Sequence, residues 1–325
     1  MAYNFQQLLD KVNKKIESLD YAHAPINLYE PVKYILSLGG KRIRPVMMLM
    51  AYNLYKDNVE KILDPAVAIE IYHNFTLLHD DLMDRADVRR GKPTVHKRWN
   101  DNTAILSGDV MLSLADTYMS KCDDNYFRHV MSLFHKTSIE IAEGQQYDMD
   151  FEQRNDVTEA EYIEMIRLKT SVLLACSLKT GAILGGASDV DADLLYRLGE
   201  SLGLAFQLRD DYLDVYGDPK VFGKKIGGDI LCNKKTYLYI NALRLANKEE
   251  REQLDYWANA TDIVPEEKIS AVTAIYNKVG IPELCRKTED RYYQIAQKCC
   301  EQLSINNDKK IIIHEFMASL MDREN

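Results

Sequence analysis

Apolar residues recur at three- and four-residue spacing along most of the chain. That period predicts helices over 30–55, 62–85, 102–121, 124–148, 158–186, 191–214, 235–247 and 268–302. No strand-like alternation bounded by turn signals interrupts them. Phe5, Leu8, Leu9, Val12, Ile16 and Leu19 add an amphipathic first helix. Its polar face mixes both signs of charge, so packing on the protein body is expected rather than binding to a membrane surface. Breakers mark the joints: Gly39-Gly40, Gly91 with Pro93, Gly185-Gly186, Gly217 with Pro219, and the stretch from Gly223 to Gly228. Thr158 and Glu161 have the spacing of a capping box that opens a helix carrying Lys169 and Thr170. Without a repeat, a low-complexity tract or a linker, the pattern predicts one all-α domain over residues 1–325.

Composition narrows this little: 325 residues, 46% hydrophobic and 28% charged, are ordinary for a globular protein. No run of about 18 uncharged apolar residues is present, so no stable membrane insertion is expected. The first residues lack a basic start followed by an apolar core, so no signal peptide is expected. The six cysteines form no C-x-x-C pair and are read as reduced, mostly core residues of a cytoplasmic protein. The seven histidines have no zinc spacing, and no G-x-S-x-G or phosphate-binding P-loop occurs. A net charge of −9 argues against a nucleic-acid surface. It also repels polyanions on average, so any phosphate site must be local, made of clustered cations and metal.

The candidate chemistry sits in two acidic clusters of identical spacing, Asp80-Asp81-x-x-Asp84 and Asp210-Asp211-x-x-Asp214. Positions i, i+1 and i+4 share one side of a helix, where like charges repel. One such cluster is compatible with a solvated acidic face. Two in similar apolar surroundings point to Mg²⁺, which takes one or two carboxylates and completes its shell with water and phosphate oxygens. Each is followed by a glycine-bearing basic loop: Arg89-Arg90-Gly91-Lys92 after the first, and Gly223-Lys224-Lys225, then Lys234-Lys235-Thr236, after the second. Upstream, Gly39-Gly40-Lys41-Arg42-Ile43-Arg44 sets three cations beside two glycines; glycine admits close backbone approach and arginine offers a bidentate fork to phosphate.

These motifs occur in the order found in trans-isoprenyl diphosphate synthases, the farnesyl and geranylgeranyl diphosphate synthase family, which the chain resembles over essentially its whole length. The quoted residues are Gly39–Pro45, Leu77–Asp84, Arg89–Gly91, Lys169-Thr170, Gln207–Asp214 and Gly223-Lys224. The resemblance implies the isoprenoid synthase fold, a single large helical bundle around a central cavity, and in most relatives a homodimer. It implies a Mg²⁺-dependent prenyltransferase that condenses isopentenyl diphosphate with an allylic diphosphate (dimethylallyl, geranyl or farnesyl).

Carried over residue by residue, Asp80, Asp84 and Asp210 bind three Mg²⁺ ions on the allylic diphosphate, with Asp81, Asp211 and Asp214 assisting. Arg89, Lys169, Lys224 and Lys234 complete that grip. Lys41, Arg44, His73 and Arg90 hold isopentenyl diphosphate, and Thr170 and Gln207 stabilise the allylic cation. The resemblance makes the helix before Asp80 the wall of the product pocket, with Phe75, Thr76 and Tyr72 as its floor. Phe75 lies about 7.5 Å below Asp80 along a helix and Tyr72 about 12 Å below. A floor there implies a short product, C20 or C15 and by preference C20. Two features depart from common relatives: Arg209 replaces a glutamine, and the C-terminus lacks a basic tail. A terpene cyclase of the same fold would not need the Lys41–Arg44 segment, and a non-catalytic partner subunit would not need both acidic clusters.

Overall fold

The computed structural model describes residues 3–218, 226–261 and 263–321. Apart from one short hairpin, the regular elements among them are helical, as the periodicity predicts. The described residues group into two compact units, one of Met1–His135 with Cys176–Leu195, the other of Lys136–Ala175 with Tyr196–Asn325.

The first unit holds α1 (Phe5–Glu17), α2 (Ile26–Ser37), α3 (Ile43–Asn53), a 3-10 turn (Val59–Ile62), α4 (Leu63–Met83), α5 (Val95–Arg98) and α6 (Asp101–Met119). The expected run 30–55 breaks into α2 and α3 because Gly39 and Gly40 take φ values of 78° and 136°. Every residue of α3 from Pro45 to Asn53 is buried, so this helix is apolar all round and lies in the core. α4 packs mainly against α6, with Val67, Ala68, Ile69 and Ile71 buried on the former and Met111, Ala115 and Met119 on the latter. Between α4 and α5, Val88–Arg89 pairs with Lys92–Pro93 around Arg90 (φ 52°) and Gly91 (φ 74°). Two successive positive φ angles make the tight turn whose twist suits a two-residue hairpin. Pairs this short leave no alternation to read in the sequence.

α7 (Phe127–Glu152), α9 (Val172–Gly185) and α10 (Asp189–Tyr216) contribute residues to both units. The second unit adds α8 (Glu159–Ile166), α11 (Gly228–Leu231), α12 (Tyr237–Leu245), α13 (Lys248–Asn259), α14 (Pro265–Lys278), α15 (Ile281–Gln302) and α16 (Asn307–Met321). The predicted capping box is present: Thr158 accepts from Glu161 N–H while the Glu161 carboxylate accepts from Thr158 N–H. The expected run 268–302 divides at Gly280 (φ 77°) into α14 and α15. α13 escapes the periodicity because only Glu250 and Leu254 of its twelve residues are buried.

The stretch Glu159–Gly185 is long and apolar enough to cross a membrane, but 78% of its apolar window is buried inside the protein, which uses it as core. All six cysteines are free and only Cys232 is exposed, in line with the reduced core reading.

Candidate active site

α4 ends on the first acidic cluster, with Asp80 and Asp81 in its last turn and Asp84 as C-cap, donating its N–H to the Asp80 carbonyl at 2.9 Å. A helix C-terminus carries partial negative charge, and no basic residue lies in this last turn, so three carboxylates here are doubly unfavourable. The hairpin supplies the compensation. Arg89 returns to Asp81 with Nε at 2.8 and 2.9 Å from the two carboxylate oxygens and Nη2 at 2.7 Å, and reaches Asp80 at 3.8 Å. Asp81 is buried, which pushes its carboxyl above the usual range while Arg89 pulls the other way. Asp80 is half-buried and Asp84 exposed.

The four residues expected to hold isopentenyl diphosphate, Lys41, Arg44, His73 and Arg90, all belong to this unit, and three of them converge. Arg44 Nη1 lies 3.2 Å from His73 Nε2. A guanidinium can only donate, so Nε2 is the acceptor and the ring proton sits on Nδ1. Burial, with Arg44 and Arg90 nearby, holds His73 well below its ordinary value, so the ring is neutral. Burial also lowers Arg44 to about 10, assisted by Arg90 and opposed by Glu70. Arg90 donates to the Gly39 carbonyl, and its guanidinium lies so close to Gly40 that a Cβ there would meet it at 2.9 Å. Lys41 is exposed beside it. Arg42 does something else: it is buried, in an ion pair with Glu70 at 2.6 Å and a hydrogen bond to the Leu36 carbonyl at 2.6 Å. Arg42, Arg85 and Arg90 all take positive φ, a conformation unfavourable for a side chain with a Cβ and concentrated at functional sites.

The predicted floor residues form part of an edge-to-face aromatic row in the same unit: Phe134 against Tyr72 (5.3 Å between centroids), Tyr72 against Phe75 (5.5 Å), and Phe75 against His79 (4.8 Å). Thr76 donates to the His73 carbonyl at 2.8 Å. His79 fits a notch in α6 that exists because residue 108 is glycine: a Cβ there would fall 2.0 Å from its Nε2.

The second unit gathers Lys169, Thr170, Gln207, Lys234 and the second acidic cluster. Lys169 and Thr170 lie in a single π turn, Arg167–Ser171, a distortion that recurs at functional sites. Three glycines make room for it. A Cβ on Gly144 would meet Lys169 N at 2.4 Å, and one on Gly203 or Gly199 would come within 2.7 Å of Ser171 or Ala175. Lys169 Nζ donates to Asp148 at 2.6 Å. Burial acts to raise Asp148, but Lys169 and Lys234 outweigh it and hold the carboxyl below its ordinary range. Lys235 points elsewhere, to Asn155 at 3.1 Å.

Thr170 donates to the Gln207 carbonyl oxygen at 3.3 Å, and Gln207 donates to Asp211 at 3.1 Å. Asp211 also accepts from the buried Tyr162 hydroxyl. Burial first, with Asp229 nearby, raises its carboxyl to about 7. Asp214 accepts the Asp229 N–H at 3.0 Å, and Asp210 is half-buried. Arg209 turns to Glu289 of α15 at 3.6 Å. Lys224 lies outside the described residues.

A polyprenyl synthetase family model matches residues 25–279. The chain belongs to the polyprenyl synthetase family. A geranylgeranyl diphosphate synthase of Methanosarcina mazei is 45% identical over 71% of this chain and 72% of its own. A short chain isoprenyl diphosphate synthase of Methanocaldococcus jannaschii is 39% identical over 77% of this chain and 76% of its own. A crystal structure of a geranylgeranyl pyrophosphate synthase superposes with a TM-score of 0.94 at 43% identity, covering 99% of this chain and 100% of the other. This polyprenyl synthetase is therefore a prenyltransferase with the isoprenoid synthase fold.

Three residues that contact the predicted ones lie in no motif read from the sequence: Asp148, Tyr162 and Glu289. Asp148 and Glu289 come from elements distant in sequence from their partners, and Tyr162 stands on the helix just before the π turn. Gly144, Gly199 and Gly203, glycines inside helices, are the signal that could have found a close approach there.

Proposed function

We propose that this polyprenyl synthetase condenses isopentenyl diphosphate with an allylic diphosphate to give a short product, C20 in preference to C15, as one domain that works as a homodimer in the cytoplasm. The observation that carries the reading is the convergence of Arg44, Arg90 and neutral His73 beside Gly39-Gly40. Burial first, with neighbouring guanidinium groups adding to it, lowers both arginines, so a bound dianion would supply counter-charge where cations are held at a cost. With Lys41 they form the isopentenyl diphosphate site, which needs no metal.

The acidic clusters fit Mg²⁺ rather than a cation caged by protein alone. Among the described residues no three His, Cys, Asp or Glu side chains gather tightly enough to enclose an ion. Such clusters suit an ion that shares its shell with phosphate and water. Asp80, Asp84 and Asp210 would hold three Mg²⁺, with Asp214 assisting; Asp81 and Asp211 are already engaged by Arg89 and by Tyr162 with Gln207. When bound, the metal would stabilise charge developing on the leaving pyrophosphate. Arg89, Lys169, Lys224 and Lys234 add donors to that group. Thr170 and Gln207 offer oxygen lone pairs to the allylic cation, and its new bond forms to the double bond of isopentenyl diphosphate. The pyrophosphate takes up the proton then released.

Tyr72, Phe75 and Thr76 set the length. Wild-type protein with Mg²⁺, isopentenyl diphosphate and farnesyl diphosphate is expected to stop at C20. Phe75→Ala removes one ring of the aromatic row and is expected to extend the product by one or more C5 units on chromatography. An unchanged product spectrum would remove Phe75 from the floor.

A further inference from the structure

We propose that Asp211 is an anchor rather than a metal ligand, and that Tyr162 is the positioning residue that holds it, so that Thr170 and Gln207 keep their oxygen lone pairs turned to the reacting carbon. The proposal rests on the reading that Thr170 and Gln207 face the allylic cation. It concerns what fixes them there.

Donor count sets how the two side chains can face a cation. A threonine hydroxyl has one O–H and two lone pairs, and a glutamine amide can face either way. Left to rotate, Thr170 could turn its proton toward a developing cation, and Gln207 could present its NH₂, each a repulsive dipole. The structure engages the Thr170 proton and one of the two Gln207 N–H groups. Thr170 gives its proton to Gln207 Oε1 at 3.3 Å, and Gln207 gives an N–H to Asp211 Oδ1 at 3.1 Å. With Asp211 ionised, Gln207 cannot flip without setting its carbonyl oxygen against the carboxylate. Asp211 in turn is held at Oδ2 by the Tyr162 hydroxyl. Tyr162 is 1% exposed and Asp211 5% exposed, so neither exchanges this bond for water. The chain thus runs one way, from Thr170 to Gln207 to Asp211, with Tyr162 closing its far end.

The parts are placed for this purpose. Tyr162 stands on α8, whose start is fixed by the Thr158–Glu161 capping box, and the π turn that follows carries Thr170. Gln207 and Asp211 are one helical turn apart on α10. A single interface between these two elements therefore sets all four groups. The first acidic cluster solves its equivalent position differently, since Asp81 is taken by the permanently charged Arg89. A neutral phenol at Asp211 adds no cation that would repel the allylic carbon.

The test is steady-state kinetics on the full-length protein as a function of Mg²⁺. Tyr162→Phe deletes one oxygen and is expected to lower kcat 10- to 100-fold, with both KM values and the half-saturating Mg²⁺ concentration within twofold of wild type. Asp211→Asn should behave alike, and serves if Tyr162→Phe does not fold. Thr170→Val should also lose kcat, and Tyr162→Phe combined with Thr170→Val should be no slower than Thr170→Val alone, because the phenol acts through that hydroxyl. Independent, multiplying losses would overturn the anchor and leave the cation-facing pair standing. A raised Mg²⁺ requirement, with kcat restored at saturating metal, would make Asp211 a ligand and overturn the proposal. A fully active Thr170→Val would remove the reading beneath it.

Discussion

The two acidic clusters share one spacing and differ in what balances their middle carboxylate. At Asp81 the partner is Arg89, a guanidinium that grips both oxygens and reaches toward Asp80. At Asp211 the partners are a phenol and an amide, and the buried carboxyl rises to about 7. A D-D-x-x-D pattern therefore specifies where three carboxylates stand on a helix, not how much negative charge they present. In each cluster the middle residue is buried against partners of its own, and it is the flanking aspartates to which the proposed function assigns metal.

The largest expected effect comes from those flanking positions. Asp80→Asn and Asp210→Asn should each lower kcat by about 10²- to 10³-fold, the size seen when one group stabilising transition-state charge is lost. Rapid-quench assays would show whether one cluster matters more than the other, which would break the parallel between them.

Next is Arg89→Gln, which strands Asp81 in a buried site. Breaking a buried pair costs about 3–5 kcal/mol, and since Arg89 is partly exposed the lower end is expected on denaturant unfolding. Tyr162→Phe has no such charge to strand and should cost less, and equal losses would contradict the distinction drawn between the clusters.

These differences mark what the sequence could and could not disclose. Helical class, the capping box at Thr158 and the joint at Gly39 follow from local spacing and glycine, so they are legible; the break at Gly280 is not, because a single glycine inside a periodic run reads as helix. The grouping of Arg44, His73 and Arg90 follows from motif order. By contrast, Arg42 stands in the same basic run as Arg44 yet is sunk in an ion pair with Glu70, because burial depends on a partner 28 residues away. Asp148 and Tyr162 were unreadable for the same reason. The hairpin that delivers Arg89 and Arg90 is too short to show a period, and its turn depends on an arginine adopting positive φ.

A smaller effect should separate the clusters by pH. The folded chain keeps the Asp211 proton up to about pH 7, whereas an unfolded aspartate releases it near pH 4. Between those values the folded state binds more protons, so stability of the metal-free protein falls as pH rises through the window. Asp211→Asn should flatten that slope in thermal melts taken from pH 4.5 to 7.5. An unchanged slope would mean that Asp211 titrates as an ordinary carboxylate.

The smallest effect is expected at Arg209, the residue that departs from the common glutamine. It faces Glu289 of α15 at 3.6 Å. Arg209→Gln should change kcat and the Mg²⁺ requirement less than threefold. A larger change would bring Arg209 into the phosphate grip.

The proposal at stake is that this chain condenses isopentenyl diphosphate with an allylic diphosphate, with Mg²⁺ serving the allylic diphosphate. Incubating purified protein with isopentenyl diphosphate and farnesyl diphosphate, with and without Mg²⁺, and sizing the prenyl products tests it most directly. The account predicts a C20 diphosphate and stoichiometric pyrophosphate that vanish when the metal is chelated. Absence of any C5 extension in the presence of Mg²⁺ would contradict it.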